Sequence, residues 1–274
     1  MKYTLLYPSF KTKAVTFSYD DGVRQDETLI GILKAHHLRG TFNLNAGQSG
    51  EKKMRNDIDC SHLDLAKSLS LYQGMEIANH TLNHPHLEGL PYEAQLQEYE
   101  GNKERLSRLF GVSVSGSAYP YGTYDAETIK VLKDLKIHYA RTTQSTYEFH
   151  RPYNWLLWAP TIHHNDPLLQ ATLHRFYESG EELALFDLWG HSYEFALNDN
   201  FALLEHFCGD IERHDEIWNA TNDEIFHYIS AAEMVYYRNG AFVNPSSSPI
   251  YLACEGKNLL IPPLAKAAFE EAKP

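Results

Sequence analysis

Two adjacent carboxylates, Asp20 and Asp21, follow an apolar run at residues 14–19 and precede Gly22. Because Asp-Gly pairs are common in turns, one interpretation is purely structural. The other is catalytic, since (β/α) barrels build their active sites at the carboxyl ends of their strands. There one carboxylate can ligate a metal while the other accepts a proton from the attacking water. The two residues alone do not decide between these interpretations.

His80 and His84 are the one histidine pair spaced i, i+4, and they directly follow another apolar run, residues 75–79. On one helical turn this spacing puts both imidazoles on the same face, within reach of one ion. Two unrelated surface histidines are the alternative. Together with Asp21, the pair would form a three-ligand set that leaves room for water, which is typical of catalytic rather than structural zinc.

The elements that would position these residues alternate regularly, because β-branched or aromatic runs are followed by amphipathic segments. The predicted strands are residues 14–19, 40–45, 75–79, 115–119, 138–142, 155–162, 183–189 and 216–219. The predicted helices are residues 26–37, 61–72, 91–110, 125–135, 167–178, 200–213 and 221 to about 237. About eight βα units favour an α/β fold with a parallel barrel. An open doubly wound sheet is the rival, but no glycine-rich phosphate loop follows any strand.

We predict one barrel domain over residues 1–240 and a C-terminal extension, residues 241–274, packed on it as a short tail or a small β appendage. The N-terminal apolar stretch is broken by Pro8, and no run approaches the roughly 20 apolar residues of a membrane span. A cytoplasmic protein is therefore expected.

The chain has 36 acidic and 24 basic residues, hence a formal charge of −12. This balance argues against nucleic acid and anionic membranes as partners. The three cysteines are odd in number and far apart, which argues against a disulfide framework or a cysteine zinc site.

With these motifs the sequence resembles the polysaccharide deacetylase family of carbohydrate esterases, which includes chitin, chitooligosaccharide and peptidoglycan N-acetylglucosamine deacetylases. The matches occur in the family order over roughly residues 14–195. They are Tyr19-Asp20-Asp21-Gly22, His80-Thr81-Leu82-Asn83-His84, Pro120-Tyr121-Gly122, and His191 after the apolar run 183–190.

The resemblance implies a distorted barrel of seven or eight strands. It also implies hydrolysis of an N-acetyl group, or an O-acetyl group, on an amino sugar, oligosaccharide or glycoconjugate. One divalent ion, with zinc the expected one, would be held by Asp21, His80 and His84. Asp20 would be the general base and His191 the general acid, which suits a group that titrates near neutrality. The backbone N–H of Tyr121 would help to bind the oxyanion.

The sequence also departs from the family pattern. Ala118 stands where the family has an arginine that orients the base, and Arg141 is our candidate substitute. The aspartate and tryptophan of the fourth motif are not identifiable, and the candidates are Trp158, Asp166 and Asp187. Trp189 is either a wall or stacking platform for a sugar ring or a packed core residue. His163 and His164 end another predicted strand and are further candidates for the site.

Two other functions remain open. The first is a different C–N hydrolase on the same scaffold, opening a small cyclic amide. The second is a non-catalytic carbohydrate-binding protein, suggested by the missing arginine and the 18 tyrosines. In each case the expected partner is a carbohydrate or a small amide, and the acidic chain favours neutral or cationic sugars. The sequence does not indicate the identity of the sugar, the native metal or the oligomeric state.

Overall fold

A computed structural model describes residues 2–269, which form sixteen strands and seven α-helices. The strands are β1 (Tyr3–Leu6), β2 (Lys13–Asp21), β3 (Thr41–Leu44), β4 (Met54–Arg55), β5 (Ile58–Asp59), β6 (Glu76–Asn79), β7 (Gly116–Ala118), β8 (Tyr139–Arg141), β9 (Ile162–His163), β10 (Ala184–His191), β11 (Ile217–Asn219), β12 (Tyr236–Arg238), β13 (Ala241–Val243), β14 (Ile250–Cys254), β15 (Lys257–Ile261) and β16 (Lys266–Ala268). The α-helices are α1 (Asp26–Ala35), α2 (Tyr92–Phe110), α3 (Ala126–Asp134), α4 (Leu169–Glu178), α5 (Ser192–Leu197), α6 (Phe201–Glu212) and α7 (Asn222–Ala232).

Seven parallel strands form a curled sheet in the order β8-β7-β6-β3-β2-β10-β9. An eighth strand, β11, pairs with the first three residues of β2, and β3 pairs with its last four. A single parallel bridge pairs Arg141 of β8 with Trp158, which lies in the segment between β8 and β9. The prediction of an α/β barrel-like fold is therefore confirmed, as a distorted half-barrel of seven parallel strands.

β2 lies at the centre of this sheet and is buried along its whole length. Because side chains alternate between the two faces of a strand, Phe17 and Tyr19 point to the helical layer. There Phe17 packs edge-on against Phe207 of α6, with ring centroids 5.8 Å apart. Ser18 and Asp20 point to the opposite side, the barrel interior. Asp21 departs from this alternation, with φ of 81°, and its carboxylate, like that of Asp20, lies near the His80 ring.

Two predicted elements are wrong. Residues 61–72 form turns around a short 3₁₀ segment, Leu65–Lys67, rather than an α-helix. Serine side chains there bond to the backbone, with Ser68 donating to the Asp64 carbonyl, and such bonds compete with helix formation. The predicted strand 155–162 is mainly the 3₁₀ turn Trp155–Leu157, and only its last residue enters the sheet, in β9.

The helix that starts after Thr221 ends at Ala232 rather than near residue 237. Strands β12, β13 and β16 then form one antiparallel sheet, while β14 pairs with β1 at the start of the chain on one side and with β15 on the other. A shared apolar cluster joins these strands to the barrel, with Leu252 and Phe242 packed alongside Ala14 and Leu185. The boundary at residue 240 stays a prediction, and residues 270–274 of the predicted extension lie outside the described part.

No helix between residues 2 and 269 combines the length and the apolar character that a membrane crossing requires.

Candidate active site

The residues singled out from the sequence converge at the carboxyl ends of the parallel strands. Asp20 and Asp21 end β2, His80 follows β6, Arg141 ends β8 and His191 ends β10. Asp20, Asp21, His80 and His191 line a pocket of about 430 Å³, which Tyr121 and Trp189 also line. This volume fits a small ligand such as a monosaccharide.

Three ligand atoms face one another inside the pocket. The Nε2 atoms of His80 and His84 are 3.1 Å apart, and they lie 3.6 and 3.7 Å from Oδ1 of Asp21. Zinc bonds of about 2.0–2.2 Å at tetrahedral angles would separate the ligand atoms by about 3.3–3.6 Å. The observed separations of 3.1–3.7 Å are close to this range, so the arrangement fits one shared ion of zinc-like size with only small shifts of the side chains.

The surroundings of His80 and His84 favour a ring nitrogen that is free to donate its lone pair to the shared ion. Nδ1 of His80 lies 2.9 Å from the carbonyl oxygen of Ala118, and donation there leaves Nε2 free for a metal. Burial lowers the pKa of His84 to about 4, with His80 next to it acting in the same direction. Both rings are thus suited to bind as neutral ligands.

The backbone around His80 and His84 is not helical, so the helical turn inferred from their spacing is wrong. Residues 80–87 form an irregular loop, in which Thr81 and His84 have φ of 64° and 55°. The loop is tied by the His84 N–H, which donates to Oγ1 of Thr81 (3.1 Å), and by Asn45, which donates to the carbonyls of His80 and Thr81. The spacing therefore identified the right pair, but tight turns bring the two rings together.

Asp20 is held from two sides. Arg141 donates through Nη2 to both carboxylate oxygens at 2.5 Å, and Asn43 donates to Oδ1 at 2.9 Å. Burial raises the pKa of Asp20, but Arg141, with His80 and His191 in support, outweighs it and lowers the pKa to about 2. Asp20 is therefore an ionised carboxylate fixed in orientation.

Arg141 is completely buried, and its position explains the missing arginine of the third motif. In the register of β7 and β8, Arg141 pairs directly with Ala118. The guanidinium thus starts one strand away from the family position and still reaches the base. Its face also lies over the Trp189 ring, with Cζ 4.5 Å from the centroid.

The carboxylate that contacts His191 is Glu194, which the sequence reasoning left without a role. Oε2 of Glu194 lies 3.4 Å from Nδ1 of His191, 3.1 Å from Nε2 of His163 and 3.4 Å from Nε2 of His164. Burial lowers the pKa of His191, but Glu194 and the two aspartates raise it overall to about 9. The same carboxylate accepts from the His191 N–H at 3.0 Å. The sequence signal that could have identified Glu194 is its position three residues after His191, the N-cap residue of α5, as in a capping box.

None of the three candidates for the fourth motif lies beside His191 as Glu194 does. Trp158 packs against Tyr139 and Trp155, and Asp166 accepts from the Tyr147 hydroxyl. Asp187 lies buried below Arg141, and burial raises its pKa to about 7. Among the described residues, none of the three has an ion pair or ring contact with His191.

Tyr121 and Trp189 lie on opposite sides of the pocket. Tyr121 is 57% exposed, stacks on His86 with 3.9 Å between centroids, and meets the His84 ring edge-on. It occupies the second position of the turn Pro120–Gly122, where backbone N–H groups lack partners within the turn. Trp189 is nearly buried and forms a wall next to His163.

Comparisons with known proteins agree with this architecture. Residues 8–140 match the family model described as polysaccharide deacetylase. An uncharacterized protein of Streptomyces coelicolor is 32% identical over 123 residues, which are 45% of this chain and 45% of that protein. The chain spans about half the length, or less, of the curated relatives it matches.

Two solved structures share the fold over most of the chain. A Mycobacterium smegmatis protein, provisionally assigned as a polysaccharide deacetylase, has a TM-score of 0.63 at 18% identity and covers 87% of this chain and 98% of its own. A family 4 carbohydrate esterase from Streptomyces lividans, in complex with acetate, has a TM-score of 0.51 at 16% identity and covers 77% and 93%. The resemblance expected from the motifs is confirmed by the family match, and the structural likeness supports the fold.

Proposed function

We propose that this chain, whose residues 8–140 resemble polysaccharide deacetylases, is a metal-dependent hydrolase that removes an acetyl group from an amino sugar or a conjugate of one. The observation that carries the proposal is the convergence of Asp21, His80 and His84 on one point, with their ligand atoms 3.1–3.7 Å apart. A divalent ion bound there, zinc by the nature of its ligands, would polarise the acetyl carbonyl and lower the pKa of the attacking water.

Asp20 is the proposed general base. Oδ2 of Asp20 lies 4.0 Å from Nε2 of His80, so a water beside the ligand set is within its reach. The buried Arg141 keeps the carboxylate ionised and aims it, which matters because a base must sit within hydrogen-bond distance of the proton it accepts. Arg141 thereby acts as a positioning residue rather than as a contact for the sugar.

His191 is the proposed general acid. The leaving amine needs a proton to depart, and the Glu194 carboxylate favours the protonated imidazole on the opposite edge of the ring. Nε2 of His191 lies 4.0 Å from Oδ2 of Asp20, so acid and base both face the space where an acetamide would sit. The Tyr121 N–H is the proposed donor to the oxyanion.

The test is acetate release from N-acetylated sugars by the purified protein, with and without chelation, together with its metal content. We expect about one divalent ion per chain and activity that chelation abolishes and metal restores. His80→Ala should lose both ion and activity. Full activity in a metal-free preparation would contradict the proposal. Turnover of cyclic amides alone would replace acetyl hydrolysis by the alternative C–N chemistry, and sugar binding without turnover would indicate a binding protein.

A further inference from the structure

Two basic side chains, Lys53 and Arg55, project from a small hairpin to the mouth of the site pocket. The hairpin consists of β4 and β5 and belongs to the long connection between β3 and β6. Lys53 is exposed, whereas Arg55 is half-buried with its guanidinium over the Tyr193 ring, Cζ lying 4.3 Å from the centroid. The chain as a whole is acidic, with a charge of −12, so two neighbouring cations at this place contrast with the overall charge.

The hairpin holds these side chains in a defined place. Its two-residue turn, Asn56 and Asp57, has positive φ at both positions, 45° and 63°, as the tightest hairpin turns require. Asp59 fastens it to the barrel, since Arg24 donates to the Asp59 carboxylate at 2.8 Å and Gln25 donates to the Asp59 carbonyl at 2.7 Å. Arg55 is therefore presented by a fixed element rather than a loose loop.

Neither cation has a carboxylate partner among residues 2–269. Lys53 and Arg55 take part in none of the ion pairs there, and Nε of Arg55 is buried without a hydrogen-bond acceptor. The carboxylates that face the pocket are already engaged, because Asp20 pairs with Arg141 and Glu194 with His191. Asp21 belongs to the proposed ligand set. The positive charge at the pocket mouth thus has no carboxylate partner within the described residues.

We propose that this pair selects an acetylated sugar bearing an anionic group, a phosphate or a carboxylate, which Lys53 and Arg55 bind at the pocket mouth. The inference rests on the proposed deacetylase function and narrows its substrate. It differs from the neutral or cationic sugar expected from net charge, because distant acidic residues are screened over about 10 Å whereas the two cations would touch the entering substrate. An arginine stacked on an aromatic ring keeps its N–H groups in a plane suited to such oxygens.

The experiment compares kcat/KM for three probes that differ in charge: N-acetylglucosamine, N-acetylglucosamine 6-phosphate and N-acetylmuramic acid. We expect the wild-type protein to prefer at least one anionic sugar, and the preferred one identifies phosphate or carboxylate. Lys53→Gln and Arg55→Gln should each reduce the preference over the neutral sugar about tenfold, the size of one charge-assisted contact. Lys52→Gln, which removes the same charge from the neighbouring position, is the matched control and should leave the preference unchanged.

Equal turnover of neutral and anionic sugars by the wild-type protein would overturn the inference while leaving the proposed function intact. An equal loss of the preference for anionic sugars in Lys52→Gln and Lys53→Gln would also overturn the inference, because such a result would show a general effect of charge. If no sugar is deacetylated, the proposed function fails, and calorimetric titration with glucosamine 6-phosphate decides the anion site separately. Binding weakened about tenfold by Arg55→Gln would support it, and absence of binding to the wild type would refute it.

Discussion

Removal of the Arg141 guanidinium tests the claim that a buried arginine has taken over the role of the motif arginine. In Arg141→Ala, Asp20 would keep its bond from Asn43 but would lose its hydrogen-bonded counter-charge, leaving the His80 and His191 rings 4.0 Å away. Breaking one side of a buried ion pair costs about 3–5 kcal/mol of folding stability. At about 2–4 °C per kcal/mol for a chain of this size, the melting temperature should fall by roughly 6–20 °C.

Activity should fall as well, because the base would lose both its orientation and its charged form. General-base catalysis contributes about 10²–10⁴-fold, so we expect kcat to drop by about 10²–10³-fold. Acetate release at a temperature where the variant remains folded measures this loss. Bound metal should stay at wild-type level, since Arg141 is not among the proposed ligands. A folded variant with kcat within threefold of wild type would refute the assignment.

A second, matched variant tests whether Asp20 needs an arginine at position 141 or only a guanidinium nearby. Ala118 and Arg141 are partners in the register of neighbouring strands, about 4.8 Å apart. The exchange Ala118→Arg with Arg141→Ala conserves volume and charge and moves the arginine to the family position. We expect it to recover at least tenfold of the kcat lost in the single variant. A double variant as inactive as the single one would show that Asp20 needs more than a nearby guanidinium.

Three further outcomes are expected. His84→Ala removes one of three ligands, so both the ion measured by elemental analysis and the acetate release should be lost, whereas a fully loaded variant would exclude His84 from the site. Glu194→Gln removes the charge that favours protonated His191, so the pKa of His191 should fall. The basic limb of the pH–rate profile should then move to lower pH by about one pH unit, and an unmoved limb would assign Glu194 a purely structural role. Gly190→Ala places a Cβ 2.1 Å from Nδ1 of His164, so thermal denaturation should show a loss of about 1–3 kcal/mol, and unchanged stability would mean that the His164 ring moves freely.

Much of the candidate site was predictable because the residues of each motif are close together in the sequence. Asp20 and Asp21 are adjacent and end a strand, and His80 and His84 are four residues apart after another strand. The βα alternation placed both at the same end of a parallel sheet. The helix inferred from the histidine spacing was nevertheless wrong, because two residues with positive φ form the turn instead.

The partners of the proposed base and acid were much harder to identify. Arg141 lies 121 residues from Asp20 and reaches it across the barrel interior, so the sequence supported only a hypothesis. Glu194 was overlooked, since a glutamate three residues into a short helix also reads as an ordinary cap. The candidates Trp158 and Asp166 failed because their surroundings depend on how the segment after β8 packs.

The sequence by itself determined the repeating βα order and the acidic balance, because periodicity and composition are read within short stretches, and its short motifs identified the proposed ligands, base and acid through their resemblance to a family. Only the tertiary structure decided which charges neutralise one another. Arg141 meets Asp20 and Glu194 meets His191, while Lys53 and Arg55, at the pocket mouth, have no ion-pair partner in the described part of the chain. The physical reason is that electrostatic interaction depends on distance in space and on burial, and the curled sheet brings together charges that the chain keeps far apart.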